Sequence, residues 1–193
     1  MLPYKFYMRR RLLATLAGMS TDSRILDIAC ADGKFRTYVP SRNYIGVDLD
    51  EEAIKRARER FPDDKFVCAD MTNFDLCALG KFDYVICTHT LAHIEDVKQE
   101  QVLELLKSML SDSSSLFILQ LTKQDFVRHS TFLLRHFNFL KTYWYRGVIS
   151  KLFEGRPMPS YVQRSMYYLF WVASFVEGGN EDVLLVLNLS SSK

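Results

Sequence analysis

The 193-residue sequence lacks the features that mark several classes of protein. Its net charge is only +2, which gives no electrostatic argument for binding nucleic acid. The four cysteines form no CxxC pair and have no histidine at metal-ligand spacing, so we expect no metal site and reduced cysteines. The apolar stretch at residues 161–176 contains Gln163 and Arg164 and is short for a membrane span. We therefore expect a cytoplasmic protein without integral membrane association.

Short apolar runs alternate with helical patterns along most of the chain. This alternation predicts βαβ units, and hence a mostly parallel sheet covered by helices on both faces. One helix is indicated clearly, because Asp50 has the character of an N-cap and Glu51 and Glu52 suit a first turn. A short helix is also expected over residues 33–39, before Pro40. The predicted strands cover residues 24–29, 43–48, 65–69, 82–88, 115–121, 140–145 and 183–189.

The stretch RILDIACADG, residues 24–33, predicts a buried strand that runs into a tight turn. Three small residues follow Asp27 at a spacing of two: Ala29, Ala31 and Gly33. A strand, such a turn and then a helix is where α/β proteins bind nucleotide-like ligands. Because alanine rarely adopts a positive φ, we expect ordinary dihedral angles at Ala29 and Ala31.

Three acidic residues lie at or near the ends of the first three predicted strands. Asp27, Asp48 and Asp70 are placed so that a parallel sheet brings them to one edge. A carboxylate about 20 residues past the turn suits a ribose diol, because it accepts from both hydroxyl groups. A carboxylate after the third strand, such as Asp70, can accept a hydrogen bond from an adenine amino group. A carboxylate beside the turn, such as Asp27, suggests that a positively charged group of the ligand lies nearby.

Together these motifs resemble those of class I S-adenosylmethionine-dependent methyltransferases. The resemblance rests on DIACADG from Asp27, YIGVDLD around Asp48, Ala69-Asp70-Met71, and FDYVICTHTLAHIED from Phe82. It implies a Rossmann-like three-layer sandwich with a seven-stranded sheet, an antiparallel last strand and a helical insertion before that strand. The length of the chain predicts one domain over residues 1–193.

The resemblance implies S-adenosyl-L-methionine as the cofactor. Asp27 and the loop at residues 29–33 would face its methionine part, Asp48 its ribose and Asp70 its adenine amine. The cofactor-binding residues implied are Asp27, Ala29, Cys30, Ala31, Gly33, Asp48, Leu49, Asp70, Met71 and Thr88.

Methyl transfer from a sulfonium needs mainly alignment of the nucleophile, the methyl group and the sulfur. A general base is required only for a hydroxyl or a protonated amine, and the candidates are His89 and His93. Substrate contact is the alternative for His89, and capping of the next segment is the alternative for His93.

The acceptor is expected to be a small molecule, and the protein a monomer or a homodimer. Residues 1–22 are expected to form a helix over the cofactor site. The aromatic segment at residues 147–178 is interpreted either as core or as a substrate lid.

The rival functions are a scaffold without catalysis and a cofactor-dependent enzyme without methyl transfer. A nicotinamide dehydrogenase is disfavoured, because the first turn lacks the G-x-G-x-x-G pattern.

Overall fold

The computed structural model describes residues 3–72, 76–112, 115–144 and 182–189. Within these ranges the chain forms four α-helices and seven β-strands. The helices are α1 (Pro3–Ala17), α2 (Glu51–Arg60), α3 (Asp96–Ser108) and α4 (Lys123–His136). The strands are β1 (Arg24–Ile28), β2 (Asn43–Asp48), β3 (Lys65–Cys68), β4 (Tyr84–Thr88), β5 (Leu116–Thr122), β6 (Phe137–Trp144) and β7 (Asp182–Leu189).

The seven strands form one sheet in the order β3-β2-β1-β4-β5-β7-β6. The first five strands pair in parallel, and β7 runs antiparallel to both β5 and β6. The predicted Rossmann-like sheet with an antiparallel last strand is therefore confirmed. Because the strand order reverses between β1 and β4, ligand binding is expected at the carboxyl ends of those two strands.

Both faces of the sheet are covered by helices. On one face, α3 and α4 pack through Leu103 and Leu133 against Phe117. On the other face, α1 contributes Leu12 and α2 contributes Ile54. Burial on both faces explains why β1 reads as a nearly continuous apolar run. Across the described ranges, no helix combines the length and the apolar character needed to cross a bilayer.

Helix α2 begins as its sequence predicts. The Asp50 carboxylate accepts from the backbone N–H of Ala53 at 3.0 Å, which satisfies one donor that the first turn leaves open. Thr122 caps α4 in the same way, accepting from the N–H of Asp125 at 3.1 Å. These caps fix the helices directly after strands β2 and β5.

Two predictions about local structure are wrong. Instead of a helix over residues 33–39, the chain forms a turn and a 3-10 helix at Arg36–Tyr38. Gly33 has φ +73°, which an α-helix cannot include, and the Arg36 guanidinium donates to the Val39 carbonyl at 2.6 Å and closes the turn. Strand β6 begins at residue 137 rather than 140, because α4 runs straight into it. The predicted insertion at residues 147–178 lies outside the described residues.

Candidate active site

The turn after β1 is held in left-handed backbone conformations. Ala29 has φ 58°, Ala31 has φ 49° and Gly33 has φ 73°. The expectation of ordinary dihedral angles at the two alanines is therefore wrong. The physical reason is that surrounding hydrogen bonds fix the turn: the Cys30 N–H donates to Val47, and the Gly33 N–H donates to Cys30.

The Asp48 carboxylate holds this turn in place. One oxygen accepts from the N–H of Ala31 at 2.7 Å, and the other accepts from the N–H of Asp50 at 2.9 Å. A carboxylate offers about four lone-pair sites, so two backbone donors leave capacity for a ligand diol. Asp48 therefore ties the turn after β1 to the end of β2 and also lines the cleft described below.

Asp70 lies in the turn after β3, where its backbone neighbours orient it. One carboxylate oxygen accepts from the Thr72 N–H at 2.8 Å and from the Thr72 hydroxyl at 2.7 Å. Leu49 follows Asp48 and is 69% exposed. An exposed apolar side chain beside two carboxylates suits a flat ring that carries polar groups at its edge.

The segment after β4 carries both predicted histidines. His89 has φ 56°, a left-handed conformation that is uncommon for histidine, and its N–H donates to Gln120 on β5 at 3.0 Å. The Thr90 hydroxyl donates to the Thr88 carbonyl at 3.2 Å, and the His93 N–H donates to Thr90 at 3.0 Å. The structure thus places Thr88, His89 and His93 in one compact turn next to β1.

These turns enclose a cleft of about 530 Å³ at the carboxyl ends of the parallel strands. It brings together both histidines and six of the ten predicted cofactor residues: Ala29, Asp48, Leu49, Asp70, Met71 and Thr88. The other four predicted residues, Asp27, Cys30, Ala31 and Gly33, are not part of its lining. The cleft also includes residues that sequence reasoning missed, namely Ala69, Thr72, Thr90, Ile94, Glu95 and Lys98. Of these, Thr72 had a signal, because a threonine two residues after an aspartate commonly completes a local turn.

Asp27 is buried behind the turn and is only 1% exposed. Its pKa is raised to about 7, and burial is the largest cause. The Tyr44 hydroxyl, which donates to the carboxylate at 2.5 Å, lowers the pKa, and the nearby charge of Asp48 raises it. Cys30 is buried as well, and burial is the main reason that the pKa of its thiol is raised far above the usual range. Neither side chain presents a reactive group to the cleft.

Comparison with known proteins shows what this chain is similar to. A family model described as a methyltransferase domain matches residues 25–113, which include the turn, Asp48, Asp70 and both histidines. Residues 25–113 of this chain are thus similar to methyltransferase domains. This match agrees with the methyltransferase family that the sequence motifs predict.

The relatives of this chain are distant in sequence. A protein of Invertebrate iridescent virus 6 that is named as a methyltransferase is 29% identical over 105 residues, covering 52% of this chain and 38% of that protein. An uncharacterised protein of Rickettsia prowazekii is 28% identical over 104 residues, covering 50% of this chain and 42% of its own. The chain thus spans less than half the length of either relative.

Solved structures share the fold of this chain over nearly its whole length. The N-methyltransferase NodS of Bradyrhizobium japonicum superposes with a TM-score of 0.65 at 17% identity, covering 98% of both chains. Its complex with S-adenosyl-L-homocysteine gives a TM-score of 0.66, covering 98% of this chain and 89% of that one. At this level of identity the likeness shows a common fold.

Proposed function

We propose that this protein is an S-adenosyl-L-methionine-dependent methyltransferase that acts on a small-molecule acceptor. The observation that carries the proposal is the cleft, which gathers Asp48 and Asp70 beside the turn after β1. It lies at the carboxyl ends of the parallel strands, beside the point where the strand order reverses.

The residues of the cleft fit the adenosyl part of the cofactor. Asp48 keeps lone pairs for two ribose hydroxyls after accepting from two backbone donors. Asp70 would accept from the adenine amine, while Leu49 and Met71 would pack against the two faces of the ring. The small side chain of Ala29 lets the ligand approach the backbone of the turn.

The bound cofactor supplies a methyl group that is already activated by the sulfonium. The work left to this chain is to align the acceptor with that group and to keep water out, an effect worth about 7–11 kcal/mol in well-oriented reactions. His89 and His93 line the cleft and are proposed to receive a proton from a hydroxyl or an ammonium acceptor. Both are exposed, so an acceptor can reach them.

A small acceptor is favoured by the charge of the chain. A net charge of +2 supplies no broad basic surface for a nucleic acid. NodS, which shares the fold, is named an N-methyltransferase, and nitrogen is one of the acceptor atoms that methyl transfer from a sulfonium allows. We further propose a cytoplasmic monomer or homodimer, in which Cys30, Cys68, Cys77 and Cys87 stay reduced.

The experiment that tests the proposal is a calorimetric titration with S-adenosyl-L-homocysteine, which requires no knowledge of the acceptor. Asp48→Asn should weaken binding about tenfold or more, because a charged acceptor of two ligand hydroxyls is lost. The matched control is Asp50→Asn, which removes the same charge two residues away and keeps the cap on α2. Unchanged affinity in Asp48→Asn would refute the ribose assignment, and no binding to the unsubstituted protein would refute the cofactor assignment.

A further inference from the structure

A buried polar cluster between α3 and α4 lies behind the cleft rather than in its lining. Its centre is formed by Gln99 on α3 and His129 on α4, which are 1% and 5% exposed. Polar side chains this deeply buried are costly unless their hydrogen bonds are satisfied. The hydrogen-bond partners of these two side chains therefore indicate the role of the cluster.

Gln99 holds the wall of the cleft through two backbone carbonyls. Its Nε2 donates to the carbonyl oxygens of Leu91 and Ile94, both at 3.0 Å. These two carbonyls bracket the 3-10 turn that carries His93. His93 and Ile94 both line the cleft, so one side-chain amide on α3 sets the position of this part of the wall.

His129 fixes the orientation of that amide. The Nε2 atom of His129 lies 2.6 Å from Oε1 of Gln99, and the Arg128 guanidinium donates to the same oxygen at 3.3 Å. Because the amide nitrogen of Gln99 faces two carbonyls, its oxygen must accept, and the His129 Nε2 therefore carries a proton. A flipped amide would place its nitrogen against this N–H and its oxygen against two carbonyls.

We propose that Gln99 and His129 are positioning residues for the cofactor cleft. Gln99 holds residues 91–94 at the distance from β1 that ligand binding requires, and His129 keeps Gln99 in its working orientation. Only a side chain with two donors and one acceptor fits this place, which distinguishes it from ordinary packing between helices. The proposal rests on the proposed function in that the cleft is taken to bind an adenosyl cofactor.

Two measurements test it: the affinity for S-adenosyl-L-homocysteine and the hydrogen exchange of the His93 and Ile94 amides. Gln99→Leu should weaken the affinity about tenfold, since the Leu91 and Ile94 carbonyls both lose the hydrogen bond from the Gln99 amide, and it should speed the exchange of the His93 and Ile94 amides. Gln101→Leu is the matched control, because Gln101 is exposed on the same helix, and it should change neither quantity. His129→Phe should act like Gln99→Leu, whereas His129→Gln, which retains a donor, should restore most of the affinity.

The outcomes separate positioning from a purely structural role. A folded Gln99→Leu protein with unchanged affinity and unchanged exchange at residues 93 and 94 would overturn the proposal. If Gln99→Leu does not fold, the two His129 variants decide, and equal affinity in both would overturn it. If the unsubstituted protein does not bind S-adenosyl-L-homocysteine, the proposed function fails, and the exchange data alone then decide whether Gln99 holds the wall.

Discussion

Replacing Ala29 and Ala31 by glycine should stabilise the protein, although glycine usually destabilises. Both alanines have a positive φ, of 58° and 49°. For a residue with a Cβ this conformation costs about 1–2 kcal/mol, and glycine removes that cost. Glycine also makes the unfolded chain more flexible, which costs about 0.4–1 kcal/mol per position. The double variant should therefore gain about 1–2 kcal/mol in free energy of unfolding.

Thermal and urea unfolding of the ligand-free protein measure this change. A gain of 1 kcal/mol corresponds to a rise in Tm of about 2–4 °C for a domain of this size. The control is Ala14→Gly, at an exposed position inside α1, which should lose about 1 kcal/mol by the ordinary helix penalty. If the double variant lost as much stability as Ala14→Gly, the left-handed assignment of the turn would be wrong.

Two further predictions concern the buried side of the turn. Because the folded-state pKa of Asp27 is raised from 3.8 to about 7, its stabilising contribution is full below about pH 4 and is lost as the pH rises to about 7. Asp27→Asn should abolish this pH-dependent decline in the free energy of unfolding, which spans up to about 4 kcal/mol. Urea unfolding across this pH range measures it, and an equal decline in the variant and the unsubstituted protein would show that Asp27 is not its source. Gly46→Ala should cost about 1–3 kcal/mol, because its Cβ would lie 2.7 Å from both Cys30 Sγ and Phe66 Cδ1. Gly18→Ala, whose Cβ would meet nothing closer than 3.5 Å, should be nearly neutral in the same denaturation assay, and an equal loss in both variants would count against the packing at Gly46.

The general position of the site could be predicted from the sequence because it depends on sheet topology. In a parallel sheet the carboxyl ends of neighbouring strands meet at one edge, so Asp48 and Asp70 had to lie near each other once their strands were recognised. The N-cap at Asp50 was predictable for a similar reason, since its partner is only three residues away. The local sequence patterns and the predicted ends of the strands were together sufficient to predict where the cleft lies.

The conformation of the turn after β1 could not be predicted in this way. The backbone preference of alanine argues against a positive φ, but the hydrogen bonds that the turn donates to the Asp48 carboxylate and the Val47 carbonyl, both distant in sequence, outweigh that preference. The same limit applies to Gln99 and His129, which are 30 residues apart and meet only when α3 packs beside α4. Contacts of this kind depend on packing, and no periodicity in the sequence reports them.

A labelling experiment tests the proposed methyl transfer to a small molecule without knowledge of the acceptor. The protein is incubated with S-adenosyl-L-methionine labelled in its methyl group and with a cell extract that is afterwards separated into small molecules, protein and nucleic acid. We expect label in the small-molecule fraction, and much less label when Asp48→Asn replaces the unsubstituted protein. Label confined to protein or nucleic acid, or no transfer at all despite cofactor binding, would show that the proposed function is wrong.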